Sequence, residues 1–236
     1  MKINLDLPQG KFILNNAEAV DNTFIMASAG GRKPEINWFK TAAEGKKVYC
    51  ADKGIEICLD AGLLPELLCG DADSAGADYL QQAQKKNIKT VLFNPEKDDT
   101  DLQLLLTMLP QKMPLLITGI WGGRFDHLYS NVFSLLAYKI KNNVPVIMAD
   151  ESEIMMLLTA GDCLEFIPQQ EFTALSLLPL QDSNVSIKGV KWPLDEAELL
   201  VDNPYAVSNE ITEKSVMIKC HKGCTGFYLK TKASVL

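Results

Sequence analysis

Short apolar segments rich in β-forming residues alternate with helical segments over residues 23–150. Leucines recur at i, i+3, i+4 and i+7 within residues 102–109, which places them on one face of a helix. Asp98 or Asp99 is well placed to cap the first turn of that helix. Alternating strands and helices are typical of a parallel α/β sheet, and we expect one here.

Polar clusters directly follow four of the apolar segments. Because the carboxyl ends of parallel strands share one edge of the sheet, where open α/β sheets bind ligands, we expect the clusters to converge on one crevice. The apolar segments are residues 48–51, 67–69, 91–93 and 115–117. In chain order the clusters are Asp52, GDADS (residues 70–74), PEKDDTD (residues 95–101) and TGIWGGRFDH (residues 118–127).

Two carboxylates in the GDADS string, Asp71 and Asp73, are one residue apart at the end of a buried strand. In an apolar interior the two charges would repel each other, so we expect a cation between them, with Mg²⁺ as the first candidate. The alternative is an Asp-rich turn without any chemistry, because Asp and Gly also start turns and cap helices.

The glycine-rich string over residues 119–123 lies between an apolar segment and a helical one, where bare backbone can approach a phosphate group. Arg124 follows with a fork of donors that suits phosphoryl oxygens. The alternative is a tight turn in which Arg124 pairs with Asp126. The chain contains neither a GxxxxGK[ST] phosphate loop nor a GxGxxG fingerprint.

Residues 151–236 have a different sequence pattern, with short apolar or alternating segments separated by Gly, Pro, Asn and Asp. Such spacing is typical of an antiparallel sandwich or barrel. We therefore predict an α/β domain over residues 1–150 and a β-rich domain over residues 151–236.

Composition excludes several classes of protein. The chain has 236 residues, 47% of them hydrophobic, which suffices for one large core or two modest ones. A net charge of −7 without a basic cluster argues against nucleic acid as a partner. No apolar stretch approaches the ~20 residues of a membrane span, and the N-terminal sequence lacks a secretory apolar core, so we expect a cytoplasmic protein.

Six cysteines raise the question of a metal site, and of these Cys220 and Cys224 cluster with His221. Two thiols and a ring nitrogen could hold zinc, but no second pair with suitable spacing occurs elsewhere. We expect these three to be ordinary strand residues.

The order of three motifs, GDADS, KDDTD and GIWGGRFDH, resembles the thiamine pyrophosphokinase family. KGVKWPL (residues 188–194) and VSNE (residues 207–210) are similar to two further segments of that family. Lys53, Ala72 and Ala75 depart from the family pattern, whereas the acidic and Arg positions match it. The resemblance covers the chain from about Val48 onward.

The resemblance implies an ATP-dependent enzyme that moves a diphosphate group from ATP onto the hydroxyl of thiamine, giving thiamine diphosphate and AMP. It also implies an α/β domain followed by a β-sandwich, and a homodimer with thiamine at the subunit interface. Two rival functions remain, a diphosphokinase for another hydroxymethyl heterocycle such as a pterin and a non-catalytic thiamine or nucleotide sensor. The intact VSNE segment argues against the first, and the intact acidic and Arg positions argue against the second.

Carried over residue by residue, the resemblance implies Mg²⁺ ligands and catalytic residues at Asp71, Asp73 and Asp101, with Arg124 neutralising the transferred diphosphate. Asp98 would orient the thiamine hydroxyl or accept its proton, or would instead support other site residues or cap a helix. Trp192, Ser208 and Asn209 would bind thiamine, although Trp192 before Pro193 could also be a core residue of an edge strand. ATP would be bound by Asp52, Ser74, Lys97, Thr100, Arg124, Asp126 and His127.

Overall fold

The computed structural model of the protein describes residues 2–15, 23–70, 76–94, 96 and 98–232. Within these residues the helices are α1 (Ile36–Ala43), α2 (Gly54–Asp60), α3 (Ala77–Lys85), α4 (Asp101–Met108) and α5 (Phe125–Asn142). The strands of the same residues are β1 (Lys2–Leu7), β2 (Gly10–Asn15), β3 (Ile25–Ser28), β4 (Val48–Ala51), β5 (Leu67–Gly70), β6 (Thr90–Leu92), β7 (Leu115–Thr118), β8 (Val146–Ala149), β9 (Glu153–Thr159), β10 (Cys163–Pro168), β11 (Phe172–Pro179), β12 (Ser183–Lys188), β13 (Leu194–Leu199), β14 (Val216–Lys222) and β15 (Cys224–Thr231).

A nine-stranded sheet runs through the described part of the chain in the order β11-β15-β9-β8-β7-β3-β4-β5-β6. The strands from β8 to β6 are parallel, which confirms the predicted parallel sheet. The strand order reverses at β3, because β4 lies on one side of it and β7 on the other. This reversal opens a crevice at the carboxyl ends of β3 and β7.

A second sheet, six-stranded within the described residues, has the antiparallel order β1-β2-β10-β14-β12-β13. It shares a core with β9, β11 and β15 of the larger sheet, where the rings of Phe166 and Phe227 meet at 5.9 Å between centroids. These strands form the predicted β-sandwich.

Both faces of the parallel strands are covered, so their side chains alternate between two cores. Met26 of β3 packs into the core that contains Phe39 of α1, whereas Ala27 packs into the core that contains Leu105 of α4 and Leu135 of α5. Burial on both faces explains why these strands read as continuous apolar segments.

Some details differ from the sequence predictions. Thr100, and not Asp98 or Asp99, caps α4: its hydroxyl accepts a hydrogen bond from Gln103 N while Gln103 Oε1 accepts one from Thr100 N. The sequence patterns do not predict β1 or β13. The domain division at residue 150 stays a prediction, and strand pairing crosses it between β8 and β9.

None of the six cysteines, all of which the structure describes, is in a disulfide, and Cys220 and Cys224 are strand residues of β14 and β15, as predicted. Burial raises the pKa of the Cys220 thiol to about 12. His221 shares a hydrogen bond of 2.9 Å with the Ser186 hydroxyl.

Of the helices that the structure describes, none has both the length and the apolarity that a membrane span requires.

Candidate active site

A cleft of about 490 Å³ opens at the carboxyl ends of the central parallel strands. It lies where the strand order reverses, so the predicted crevice is present. The loops after β3, β4 and β7 and the first turns of α4 and α5 form its walls. Its lining includes Ala29, Gly30, Gly31, Asp52, Lys53, Thr100, Asp101, Ile120, Gly122, Gly123, Arg124 and His127.

The loop over residues 119–123, which we call the glycine loop, is bonded to the segment that follows β3. Gly31 N donates to Gly119 O at 2.5 Å, and Arg32 N donates to Trp121 O at 2.6 Å. A Cβ atom at Gly31 would lie 2.5 Å from Gly119 O, so this close approach requires glycine. The sequence patterns did not identify the segment after β3 as a wall of the cleft, although the pair Gly30 and Gly31 after an apolar segment was a usable signal.

Asp52 lies at the end of β4 in the left-handed conformation, with φ of 50°. Its N–H donates to Cys69 O at 2.8 Å, which holds the loop against the end of β5. Its Oδ1 atom is buried and has no hydrogen-bond partner among the described residues. An unpartnered carboxylate oxygen at a cleft wall is suited to a cation or a donor group on a ligand.

Asp101 begins α4 and lies beside Gly70, the last residue of β5. A Cβ atom at Gly70 would lie 3.3 Å from Asp52 N and 3.6 Å from Asp101 Oδ1. The backbone of Asp52 and the carboxylate of Asp101 therefore flank Gly70, the first residue of the GDADS string, whereas Asp52 Oδ2 lies nearer Gly30. Asp71, Asp73, Ser74 and Lys97 themselves lie outside the described residues.

The donor set fits the predicted Mg²⁺, because Asp101, beside Gly70, and the unpartnered Oδ1 of Asp52 in the same cleft offer the hard carboxylate oxygens that this ion prefers. Within the described ranges, no three Asp, Glu, His or Cys side chains gather as a metal site. Among the described residues, Asp101 is thus the predicted metal ligand, and Asp52 is a further carboxylate in the same cleft. The remaining predicted ligands, Asp71 and Asp73, come one and three residues after Gly70 in the chain.

Arg124 occupies the N-cap position of α5 without a side-chain capping hydrogen bond and is exposed at the cleft. Its Nε and Nη2 atoms donate to the two carboxylate oxygens of Asp126 at 3.1 and 2.5 Å, so the pairing expected of a tight turn is present. These hydrogen bonds raise the pKa of Arg124 and lower the pKa of Asp126. Asp126 also accepts a hydrogen bond from His127 N, which fixes the carboxylate against the first turn of α5.

Thr100 and Asp98 differ in their relation to the cleft. Thr100 lines it, and because its hydroxyl oxygen accepts from Gln103 N at 3.2 Å, the hydroxyl proton is left to donate to another group. Asp98 is exposed and is not among the cleft-lining residues that the structure describes.

The predicted thiamine residues form a second group in the sandwich. Trp192 is 54% exposed, so it is not a core residue, and Lys191 Nζ lies 4.7 Å from its ring centroid. Asn209 holds the backbone of Trp192, since its Oδ1 accepts from Trp192 N and its Nδ2 donates to Trp192 O at 2.8 Å. Ser208 is exposed with φ of 59°, and its N–H donates to the Ser176 hydroxyl.

The two groups are far apart within one chain. Asn209 pairs with Leu175 on the outer edge of β11, and β15, β9 and β8 separate β11 from β7. Five strand spacings therefore lie between Asn209 and the glycine loop after β7, or about 24 Å.

Two family models match the chain. The thiamin pyrophosphokinase catalytic domain matches residues 40–148, and the thiamin pyrophosphokinase vitamin B1 binding domain matches residues 164–225. A thiamine pyrophosphokinase of Bacillus subtilis is 28% identical over 176 residues, covering 73% of this chain and 81% of the relative. A thiamin pyrophosphokinase of Caenorhabditis elegans is 27% identical over 166 residues, covering 66% of each chain.

Solved structures share the fold. A thiamine pyrophosphokinase structure from Bacillus subtilis superposes with a TM-score of 0.77 at 25% identity, covering 89% of this chain and all of the other. A yeast thiamin pyrophosphokinase structure, at 15% identity and a TM-score of 0.71, covers 89% of this chain and 86% of the other and is similar in fold.

Proposed function

The chain belongs to the thiamine pyrophosphokinase family, and we infer that it transfers the terminal diphosphate of ATP to thiamine. The oxygen of the thiamine hydroxyl bonds to the β-phosphorus of ATP, the bond from that phosphorus to the oxygen shared with the α-phosphorus breaks, and AMP leaves. The observation that carries this function is the cleft at the strand reversal, which brings glycine backbone, carboxylates and Arg124 together. The proposed location is the cytoplasm, where ATP is abundant.

The glycine loop and the start of α5 are proposed to bind the phosphates of ATP. Gly122 and Gly123 have no side chains to keep a phosphate from the backbone, and the N-terminus of an 18-residue helix favours negative charge. Arg124 adds positive charge next to the transferred group, and Asp126 with His127 holds the guanidinium at the helix end. Thr100, Ser74 and Lys97 are proposed as further phosphate donors.

Carboxylates on the opposite wall are proposed to hold Mg²⁺, with Asp71, Asp73 and Asp101 as ligands and Asp52 beside them. When bound, Mg²⁺ would offset the negative charge of the triphosphate, which the carboxylates would otherwise repel. Asp52 and Asp101 are fixed in place by backbone, since one is bonded to the end of β5 and the other begins α4. Asp98, three residues earlier in the chain, is proposed to orient the thiamine hydroxyl or to accept its proton.

Thiamine is proposed to bind at the interface of a homodimer. The group formed by Trp192, Ser208 and Asn209 lies about 24 Å from the glycine loop of the same chain. A molecule of two small rings cannot span that distance, so a second copy must bring its sandwich to the cleft. We propose that the thiazolium stacks on the Trp192 face that Lys191 does not cover, and that Ser208 contacts the aminopyrimidine.

Replacing Asn209 with Ala is expected to weaken thiamine binding about five- to a hundredfold, because the Trp192 backbone loses both hydrogen bonds of its anchor. ATP affinity should remain near the wild-type value. Calorimetry with each substrate tests this, and the matched control is Asn184→Ala, which removes a similar side-chain bond to the Glu196 backbone. Equal losses for ATP and thiamine would contradict the assignment.

A complementation experiment tests the shared site. Co-expression of an Asp101→Asn chain with a Trp192→Ala/Asn209→Ala chain produces heterodimers in which one site has neither defect. At low thiamine the mixture should recover about a quarter of wild-type activity if the chains pair at random. Activity no greater than that of the two separate variants would mean that each site is built from one chain.

A further inference from the structure

Arg32 follows Gly31 of the cleft lining, and its side chain pairs with Asp150, which comes directly after β8. The Nε and Nη2 atoms of Arg32 donate to Asp150 Oδ2 at 2.9 and 2.5 Å. The Asp150 side chain is fully buried, whereas Arg32 is 36% exposed. A fork of two hydrogen bonds onto a buried carboxylate fixes the direction of the arginine side chain more firmly than a single contact would.

Both carboxylate oxygens of Asp150 and its backbone oxygen accept hydrogen bonds, so this residue is a fixed anchor. Its Oδ1 accepts hydrogen bonds from Ser152 N and Glu153 N, both at 2.8 Å. Its backbone oxygen accepts one from Gln9 Nε2 at 2.6 Å. Gln9 belongs to the turn between β1 and β2 and is itself held by Trp38 Nε1, so the anchor connects both sheets with α1.

The backbone of Arg32 holds the glycine loop. Arg32 N donates to Trp121 O at 2.6 Å, and a Cβ atom at Gly122 would lie 3.1 Å from Arg32 Cβ. Gly122 and its neighbours form the cleft wall. The position of that wall therefore depends on where the Arg32 side chain is anchored.

We propose that Arg32 is a positioning residue for ATP, which sets the glycine loop at the distance that the phosphates require. The proposal rests on the proposed function of the cleft. Arg32 does not act as a phosphate ligand, because its guanidinium is committed to Asp150 and lies 3.4 Å from Glu153 Oε1. Thiamine affinity should change much less, since Trp192 and Asn209 are bonded to each other within the sandwich and neither is bonded to Arg32 or to the glycine loop.

Replacing Arg32 with Met tests the proposal. The KM for ATP and the Kd for a non-hydrolysable ATP analogue should both rise at least tenfold, with the KM for thiamine changed less than twofold. Arg32→Lys retains a charge for Asp150 but not the fork, so it should recover part of the ATP affinity.

The matched control is Lys139→Met, which breaks another ion pair with a buried partner, Lys139 with Asp162. Lys139 lies twelve residues beyond His127 on α5, or about 18 Å along the helix. This variant should lose stability but keep the wild-type Kd for the ATP analogue. A loss of affinity equal to that of Arg32→Met would show that the effect is general destabilisation and would overturn the proposal.

Unchanged ATP-analogue affinity in a folded Arg32→Met protein would also overturn it. If that variant does not fold, Arg32→Lys carries the test with a smaller shift in the same direction, and an unchanged Kd there is equally decisive. Measuring the Kd for the ATP analogue distinguishes this proposal from the proposed function. Wild-type protein that binds the analogue but produces no thiamine diphosphate would contradict the proposed function alone.

Discussion

An Asp101→Asn protein is expected to lose at least about a hundredfold in turnover while keeping its fold. Asparagine has the same shape and can occupy the first turn of α4, but it lacks the negative charge that we propose holds Mg²⁺ beside Gly70. Initial rates with ATP, thiamine and varied Mg²⁺ measure the loss, and thermal unfolding checks the fold. We expect the same loss for Asp71→Asn and Asp73→Asn.

The matched control for this prediction is Asp99→Asn, an exposed carboxylate two residues earlier in the chain. It should retain near-normal turnover, because it neither begins the helix nor borders Gly70. If Asp101→Asn and Asp99→Asn behave alike, or if Asp101→Asn works normally at limiting Mg²⁺, the metal assignment is wrong.

The largest expected effect on stability is that of Lys139→Met, a loss of about 3–5 kcal/mol in the free energy of unfolding. Lys139 Nζ lies 2.7 Å from Asp162 Oδ2, with side-chain exposures of 1% and 10%. Removing the lysine leaves a buried carboxylate without its counter-charge, although Thr159 still donates to it. Urea unfolding followed by circular dichroism measures the difference.

Lys33→Met serves as the comparison, because Lys33 forms an exposed ion pair with Asp60. Breaking an exposed pair should cost less than about 1 kcal/mol. Similar losses in the two variants would mean that burial of the Lys139 pair contributes nothing.

The helix cap of α4 shows a signal that the sequence contained but sequence analysis passed over. Thr100 and Gln103 have the spacing of a capping box, which satisfies two backbone donors at once. Asp98 and Asp99 were favoured by residue type alone. Position relative to the first leucine of the helix would have identified Thr100.

Other features depend on contacts between distant parts of the chain. The periodicity of residues 151–236 predicted short strands, but not that β9, β15 and β11 would extend the parallel sheet. Lys139 lies in the last turn of α5, and its burial against Asp162, in the turn after β9, is not visible in the local sequence. The partnership of Arg32 and Asp150, 118 positions apart, is likewise set by the packing of loops and not by local pattern.

The sequence predicts those residues of the candidate site that come soon after a strand. Asp52, Asp101 and Arg124 come directly after or close to apolar segments, and the parallel sheet brings them to one edge. The contact of Asn209 with thiamine stays a prediction, and the bonds of its amide to the Trp192 backbone are not visible in the sequence. Sequence gives the polar residue, but the atoms to which it bonds depend on the folded loop.

The products of one incubation test the central claim most directly. Purified protein is mixed with ATP, Mg²⁺ and thiamine, and the nucleotides and thiamine phosphates are separated and quantified over time. Transfer of the diphosphate as one unit predicts AMP and thiamine diphosphate in equal amounts, without ADP. The appearance of ADP together with thiamine monophosphate, or no reaction with thiamine beside turnover of a hydroxymethylpterin, would contradict the function assigned to this cleft.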